Sequence, residues 1–372
     1  MLVEAGLGAA DSPDASGLPA ISVVIPVRNG APTLGRCLEA LQRSREVTWE
    51  CVVVDDGSTD DSLGIAERWG ARVIRSDGLG HGPARARNLG AAEARAPLIC
   101  FLDADVTAGE DTLAAFVRLF AANEGLAAAF GSYDAHPAAR DFLSQYRNLM
   151  HHFVHQSGHE RASTFWSGCG AIRRSIFLSL GGFDPRYERP SIEDIELGYR
   201  LYRRDLPIHL AKEIQVTHLK KWSLWSILKT DIRDRALPWT ELIHRSGYLP
   251  NDLNLQTSGR ISALCVFALV LFFALGWWKP VLWLGCVPAV GALLASNRAL
   301  YGFLARRRGW FFLFRALPLH WLYFAYSALA FAWGTLSILG GRSRYLRWLF
   351  RASYRPGASQ GNPTSTGKVA SQ

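Results

Sequence analysis

The distribution of charge divides the 372-residue chain into two chemically different parts. Every Asp and Glu lies at or before Asp252, so the first 252 residues hold 32 acidic and 28 basic side chains. The remaining 120 residues hold 13 Lys and Arg, no acid, and many Trp, Phe and Leu. A strongly apolar segment with scattered Arg is typical of a membrane region and does not favour a nucleic-acid-binding face.

Three apolar segments in the second part, residues 261–278, 281–295 and 316–339, are candidate membrane helices. The first and third are long enough to cross a hydrocarbon core of about 30 Å. The second is short and contains Pro288, so it is either a short span or a re-entrant piece. We expect about three helices between residues 260 and 340. Three crossings would place the basic C-terminal tail outside, although positive residues favour the cytosolic side; the alternative is that the third segment bends at Pro318 and returns.

The first part shows short apolar runs that alternate with helical patterns. The predicted strands cover residues 21–27, 51–56, 71–76, 98–105 and 126–132, and the predicted helices cover residues 33–43, 61–69, 83–94 and 111–123. Strands that are apolar on both faces and are joined by helices form a mostly parallel sheet covered on both sides. We therefore predict an α/β, Rossmann-like domain followed by a helical membrane region.

Polar residues follow three of the predicted strands. They are Arg28 and Asn29 after the first strand, Asp55 and Asp56 after the second, and Asp103 and Asp105 after the fourth. In sheets of this kind, ligands bind beyond the carboxyl ends of the strands. Carboxylates at this edge can accept hydrogen bonds from a nucleobase and from ribose hydroxyls, whereas helix capping explains a single acid but not two in succession.

Asp103 and Asp105 repel each other unless a cation lies nearby. A divalent hard cation placed between these carboxylates and two substrate phosphates removes the repulsion on both sides. Mg²⁺ is commonly held by one or two carboxylates together with substrate phosphates. We therefore predict a site for Mg²⁺ or Mn²⁺ at Asp103 and Asp105, and Arg87 is a candidate contact for phosphate.

Six motifs carry a resemblance to the family 2 glycosyltransferases with the GT-A fold. They are ISVVIPVRNG, VVVDDGSTDDS, ARARNLGAA, CFLDADV, FWSGCGAIRRSIFLSLGGFDP and IEDIELGYRLYRRD, in the order and spacing of that family. The resemblance covers roughly residues 20 to 240. It implies a GT-A catalytic domain and inverting transfer of a sugar from a nucleoside-diphosphate sugar to an acceptor hydroxyl or phosphate.

The resemblance also implies roles for individual residues. Asp103 and Asp105 would be the D-x-D metal site, with His218 as an additional candidate ligand. Glu193 and Asp194 match an E-D pair in which the Asp is the catalytic base, although acids at a helix N-terminus are also common for electrostatic reasons. The candidate nucleotide-sugar contacts are Pro26, Arg28, Asn29, Asp55, Asp56, Arg87, Asp103, Ala104, Gly168 and Gly170.

The expected organisation has five segments. They are a disordered tail at 1–19, the catalytic domain at 20–220, an amphipathic interfacial linker at 221–259, the membrane region at 260–340 and a basic, disordered tail at 341–372. In the linker, Trp222, Trp225 and Trp239 with neighbouring Lys and Arg suit a helix at a bilayer surface. The catalytic domain would face the cytoplasm from the cell membrane, and the acceptor would be a lipid or an envelope glycan.

Two other enzyme classes remain as alternatives. A processive polysaccharide synthase would carry a Q-x-x-R-W segment, but RALPW has Pro238 where Arg is expected and lacks the Gln. A nucleotidyltransferase would carry a Gly-rich, Lys-containing phosphate loop near the first strand, and VIPVRNGAPTL has neither feature. The absence of G-x-G-x-x-G after the first strand argues against a dinucleotide-dependent oxidoreductase.

Overall fold

The computed structural model describes residues 17–78, 80–248 and 257–340. The predicted C-terminal tail, most of the predicted N-terminal tail and residues 249–256 of the predicted linker lie outside the described residues. The strands are β1 Ile21–Val27, β2 Trp49–Asp55, β3 Arg72–Arg75, β4 Leu98–Leu102, β5 Val106–Thr107, β6 Ala128–Tyr133, β7 Cys169–Arg173 and β8 Ile208–His218. The helices of the first part are α1 Ala31–Gln42, α2 Ser62–Arg68, α3 Pro83–Glu93, α4 Thr112–Ala122, α5 Phe142–Ser157, α6 Arg174–Ser179, α7 Glu193–Tyr202, α8 Leu224–Lys229 and α9 Leu237–Ser246.

The strands form one eight-stranded mixed sheet in the order β3-β2-β1-β4-β7-β6-β8-β5. Neighbours β3, β2, β1 and β4 are parallel, and β6 is parallel to β8. Strand β7 is antiparallel to both β4 and β6, and β5 is antiparallel to β8. The prediction of a mostly parallel α/β sheet is confirmed, and the two antiparallel strands are short segments that carry the same apolar pattern as their neighbours.

The apolar strands bury both faces, as their composition predicts. Val23 and Ile25 of β1 pack into one core cluster with α1 and α4, whereas Val24 packs into the other with α3 and α6. Successive side chains of a strand point to opposite faces. Gly90 lets α3 lie close to the sheet, since a Cβ there would come within 2.4 Å of a Val24 methyl.

One predicted strand ends earlier than expected. The prediction extended it through Asp105, but β4 ends at Leu102 and the chain turns, with the Val106 amide donating to the Asp103 carbonyl at 3.1 Å. Asp103 and Asp105 therefore lie in the turn between β4 and β5. This places both carboxylates at the edge of the sheet, where the carboxyl ends of β1, β2 and β4 meet.

The second part of the chain is helical throughout its described residues. Its elements are α10 Thr257–Gly276, a 3-10 turn Pro280–Gly285, α11 Cys286–Ser296, α12 Arg298–Arg308 and α13 Trp310–Leu339. By length and composition, α10 and α13 could each cross a membrane. The segment from the 3-10 turn through α12 qualifies as a third candidate only as a pair bent by 70°.

A π-helical turn, Thr230–Ala236, connects α8 to α9 and joins the two parts of the chain. Its Asp231 forms a bidentate ion pair with Arg147 of α5 and accepts a hydrogen bond from Tyr326 of α13 at 2.6 Å. Of the three tryptophans expected at a bilayer surface, only Trp225 is exposed. Trp239 is buried and donates to the Tyr199 hydroxyl at 2.9 Å, because an amphipathic pattern does not distinguish a protein surface from a lipid surface.

Candidate active site

The loops after β1 and β2 are fastened to each other. Asn29 adopts a positive φ of 55° and its Oδ1 accepts from the Thr59 amide at 2.8 Å, while its own amide donates to Ser58 Oγ at 2.9 Å. Arg28 is exposed and reaches the Gly80 carbonyl at 3.5 Å. Asn29 therefore shapes the loop, whereas Arg28 is available to a ligand at this edge.

The two acids after β2 differ in how they are used within the protein. Asp56 is buried, and its carboxylate accepts from the His81 amide at 3.0 Å and from the Gly82 amide at 2.7 Å. Asp55 accepts from the Ser58 amide at 3.1 Å through one oxygen only. Asp56 therefore holds the loop that leads into α3, and Asp55 retains an oxygen for a ligand.

Arg87 of α3 connects the two acidic motifs. Its Nη2 donates to Asp103 Oδ1 at 2.7 Å and its Nη1 donates to Glu193 Oε1 at 2.8 Å. The Arg87 and Glu193 side chains are each only 5% exposed. Although burial alone would lower the pKa of Arg87, the Asp103 and Glu193 carboxylates raise it, so the guanidinium stays charged. Residues up to 106 positions apart in the sequence thus form one ion-paired group.

Asp105 faces the end of β8. His218 Nε2 lies 3.6 Å from Asp105 Oδ2, and the His218 ring stacks on Tyr133 with centroids 4.3 Å apart. Burial alone would raise the pKa of Asp105, but the hydrogen bond and charge of His218, together with Lys220, lower it below its usual range. The arrangement favours an ionised Asp105.

Glu193 and Asp194 begin α7, and their carboxylates have different surroundings. Asp194 Oδ2 accepts from the Ser167 amide at 3.1 Å and from Ser167 Oγ at 3.3 Å, while Asp194 itself is half-buried. Glu193 Oε2 accepts from the Ser191 amide at 2.9 Å. Burial raises the pKa of Glu193, and the neighbouring Asp194 adds to this against the lowering effect of Arg87. Glu193 is thus a buried, ion-paired acid, whereas Asp194 is the more accessible of the two, and a catalytic role for either stays a prediction.

The predicted glycines Gly168 and Gly170 lie close to protein atoms. A Cβ at Gly168 would come within 2.5 Å of the Trp166 ring, and one at Gly170 within 2.3 Å of the Trp166 carbonyl. The Gly168 carbonyl accepts from the Asp103 amide at 3.2 Å. These glycines therefore allow the segment before β7 to pack beside the acidic turn, and a direct contact with a sugar remains a prediction.

The remaining predicted contacts lie at the same edge of the sheet. Pro26 is half-buried in β1, beside Val54 of β2, and Ala104 lies between the two acids of the turn. Sequence reasoning missed Ser167, although it stands within the quoted FWSGCG motif directly before Gly168. Arg173, which belongs to the same motif, donates to carbonyls at and just after the C-terminal end of α4 and so is held away from the acidic turn.

Asp103 and Asp105 fit a shared divalent cation. Each carboxylate keeps one oxygen that is not bonded to another of the described residues, and each side chain is about one-third exposed. Among the described residues, no group of three or more His, Cys, Asp or Glu is arranged to hold a metal ion by itself. A hard cation bound here would therefore complete its oxygen ligands from substrate phosphates and water.

The fold and the acidic edge together define a GT-A type enzyme domain. A mannosyltransferase from Pyrobaculum calidifontis, solved in complex with GDP-Man and Mn²⁺, aligns with a TM-score of 0.55 over 87% of this chain and 89% of that one, at 19% identity. That likeness concerns the fold alone. Residues 22–181 match the family profile "Glycosyl transferase family 2". Over these residues, which are less than half of the chain, the sequence is similar to the family 2 glycosyltransferases, in agreement with its motifs.

Curated relatives resemble parts of the chain. Validoxylamine A glucosyltransferase of Streptomyces hygroscopicus subsp. jinggangensis is 31% identical over 236 residues, which are 53% of this chain and 55% of the relative. The 4,4'-diaponeurosporenoate glycosyltransferase of Staphylococcus aureus is 34% identical over 92 residues, 24% of each chain. In its match, the chain spans about half the length of the Streptomyces relative.

Proposed function

We propose that this protein is a membrane-bound inverting glycosyltransferase that moves a sugar from a nucleoside-diphosphate sugar to a lipid-linked or glycan acceptor. The observation that carries the proposal is the Asp103–Arg87–Glu193 ion-paired group, which brings the D-x-D turn and the E-D motif to one edge of the sheet. The family and the relatives, which are named for sugar transfer, support this class of reaction.

On the donor side, Asp55 and Arg28 would contact the nucleoside and its phosphates. Asp103 and Asp105 would hold Mg²⁺ or Mn²⁺ against the diphosphate through their remaining oxygens. When bound, the cation supplies Lewis-acid stabilisation of the departing diphosphate. Arg87 restricts Asp103 to one orientation, so the carboxylate is already positioned before the donor arrives.

On the acceptor side, Asp194 would act as the base. An inverting transfer needs a group that takes the acceptor proton as its oxygen attacks the anomeric carbon. The Ser167 amide and hydroxyl orient one Asp194 oxygen, and the partial exposure of this side chain allows an acceptor to reach it. Glu193, which is buried against Arg87, cannot take this role without breaking its ion pair.

A cavity of about 410 Å³ between the two parts of the chain supports an amphipathic acceptor. Apolar residues such as Met150, Leu300 and Phe324 form part of its lining. Arg235 lines it too and forms no ion pair with any of the described residues. Burial lowers the pKa of the neighbouring His151 well below its usual range, so this imidazole is uncharged at neutral pH. Arg235, and not His151, therefore supplies the positive charge at this position. An apolar chain with an anionic head matches this lining.

The segment that carries Arg235 is hydrogen-bonded to the segment that precedes the proposed base. Ser191 Oγ donates to the Asp234 carbonyl at 2.7 Å, which ties the residue before Arg235 to the segment that leads into Glu193 and Asp194. A head group held by Arg235 would therefore lie on the side of the molecule where α7 begins. This supports an acceptor that approaches from the membrane side; a nucleotide-sugar donor, which is cytosolic, would place the catalytic domain in the cytoplasm.

The proposal is tested by incubating membranes that contain the full chain with a panel of nucleotide sugars and identifying products by mass spectrometry. Sugar transfer to a lipid, lost in excess chelator and restored by Mn²⁺ or Mg²⁺, would support it. A polymer product would instead favour a processive synthase, and release of a sugar 1-phosphate with a new nucleotidyl bond on the acceptor would favour a nucleotidyltransferase. Full transfer in excess chelator would exclude the metal assignment.

A further inference from the structure

Helix α13 contacts the catalytic part along almost its whole length. Near its start, the Phe312 and Phe142 rings have centroids 5.0 Å apart. At its middle, Tyr326 donates to Asp231, and near its end Thr335 Oγ1 lies 3.0 Å from His244 Nε2. From residue 312 to residue 335, a helix rises about 35 Å at 1.5 Å per residue. That span exceeds the hydrocarbon thickness of about 30 Å.

The residues that α13 contacts belong to α5, the π-helical turn and α9 of the catalytic part. Helix α5 is hydrogen-bonded to the sheet through Asn148, which donates to the Asp134 carbonyl at 2.8 Å, and through His152, whose Nδ1 lies near the Tyr133 carbonyl. If α13 crossed the bilayer, α5 and α9 would have to accompany it. The Arg147–Asp231 pair opposite Tyr326 would then lie near the bilayer centre, where ionisable side chains are costly.

The exposed face of α13 has a composition suited to lipid. Phe331 stacks on His244 and so belongs to the face against the catalytic part; the other large exposed apolar residues are Trp310, Phe311, Phe314, Leu322, Leu329, Trp333, Leu336 and Leu339. Several of them recur at the spacing of one helical face, and the opposite face packs on the catalytic part. A helix with one apolar face towards lipid and the other against protein is typical of a helix that lies in the membrane surface.

Helix α10 and the segment after it have a different environment. The second half of α10 carries exposed apolar residues. The helix packs on α11, the 3-10 turn and α13. Its 20 residues are about 30 Å long, and Trp277 and Trp278 stand exposed beside Lys279 at the turn. At the opposite end of α10, Asn297 donates to Ser262 Oγ at 2.8 Å. Arg260 and Arg298 lie close to these two residues in the sequence. Aromatic residues with a charge at one end and arginines at the other match the two boundaries of a bilayer.

We propose that α13 lies along the membrane surface beneath the catalytic sheet and that the chain crosses the bilayer twice, through α10 and through the 3-10 turn with α11. The proposal rests on the proposed function only in requiring a membrane-bound chain. It also places both ends of the helical region on the cytosolic side. The arginine-rich tail, which three crossings would place outside, then obeys the positive-inside rule.

Cysteine labelling in spheroplasts tests the number of crossings. Three variants of the full chain, Lys279→Cys, Ser179→Cys and Ser359→Cys, are treated with a membrane-impermeant maleimide before and after permeabilisation, with the parent chain as background because its described cysteines are buried or half-buried. Two crossings predict labelling of Lys279→Cys at once and of the other two only after permeabilisation. Immediate labelling of Ser359→Cys together with Lys279→Cys would mean an odd number of crossings and would overturn the proposal.

Protection of Lys279→Cys before permeabilisation would also overturn it, since the hairpin would then not cross. Extraction at alkaline pH separates this failure from that of the proposed function. If the chain stays in the membrane, only the proposed topology is wrong. If the chain is released as a soluble protein, the proposed membrane attachment is wrong as well.

Depth measurements test the position of α13 directly. Spin labels at Phe311, Leu322, Leu329 and Leu336 lie on its exposed face, and a label at Val270 of α10 serves as the deep reference. A surface helix predicts similar, shallow depths at all four α13 positions and a larger depth at Val270. A profile that is deepest at Leu322 and shallow at both ends would show that α13 crosses and would refute the inference.

Discussion

At the scale of single residues, Arg87 carries two ion pairs of unequal burial. Its partner Glu193 is almost fully buried, whereas Asp103 is about one-third exposed. Removing one partner of a buried pair leaves an uncompensated charge and costs about 3–5 kcal/mol. We expect Arg87→Met to lower the free energy of unfolding by that order, and Arg87→Lys to recover only part of it because an ammonium lacks the planar fork of a guanidinium.

The double variant Arg87→Met with Glu193→Gln isolates the cause. If the buried carboxylate is responsible, the double variant should be more stable than Arg87→Met alone, as measured by thermal unfolding of the purified protein. Equal stability of the two variants would show that the lost packing of Arg87 on the Phe183 ring, 5.6 Å away, dominates instead.

Asp194 provides a test of catalysis at the same scale. Asp194→Asn keeps the shape and can still accept from Ser167, but its amide cannot take a proton. We expect turnover to fall by about 10²–10⁴-fold with donor binding largely kept, measured by steady-state kinetics and nucleotide-sugar titration. The exposed Asp111→Asn is the matched control and should stay within about twofold. Turnover of Asp194→Asn within about tenfold of the parent would assign the base to another residue.

At the scale of elements, the segment between β3 and α3 depends on Asp56. The carboxylate accepts from two successive backbone amides, and an Asn side chain offers only one acceptor oxygen and adds a donor. We expect Asp56→Asn to raise the donor KM more than it lowers kcat and to make this segment more sensitive to limited proteolysis. Asp61→Asn, which affects only an exposed ion pair with Arg68, is the control. Unchanged donor KM and proteolysis would remove Asp56 from any role in donor binding.

The elements also show what the sequence could predict. Apolar runs placed β1, β2, β3, β4 and β6 and the helices between them, because period and burial are properties of each short segment. The antiparallel direction of β7 depends on pairing with β4, which no local pattern encodes. For the same reason, the acids Asp55 and Asp56 looked equivalent in the sequence. Only the folded structure, in which the His81 and Gly82 amides donate to Asp56, distinguishes the two.

At the scale of the whole molecule, the cavity between the catalytic part and the helices allows donor and acceptor binding to be separated. Arg235 lines this cavity, whereas its neighbour Arg233 pairs with Asp234 and does not. Both belong to the same π-helical turn, so Arg235→Gln and Arg233→Gln remove the same charge from the same element.

We expect Arg235→Gln to raise the KM for an anionic lipid acceptor by about tenfold or more, since a charge-assisted hydrogen bond contributes about 1.5–3 kcal/mol. Donor KM should stay within about twofold, because Asp55 at the end of β2 and the acidic turn after β4 lie at the edge of the sheet and not on the π-helical turn. Arg233→Gln should leave both constants nearly unchanged. The measurement is initial rate against acceptor concentration in mixed micelles at fixed detergent. Equal effects of the two variants would mean that Arg235 acts through general surface charge, and a rise in donor KM alone would place the anion that it recognises on the nucleotide sugar.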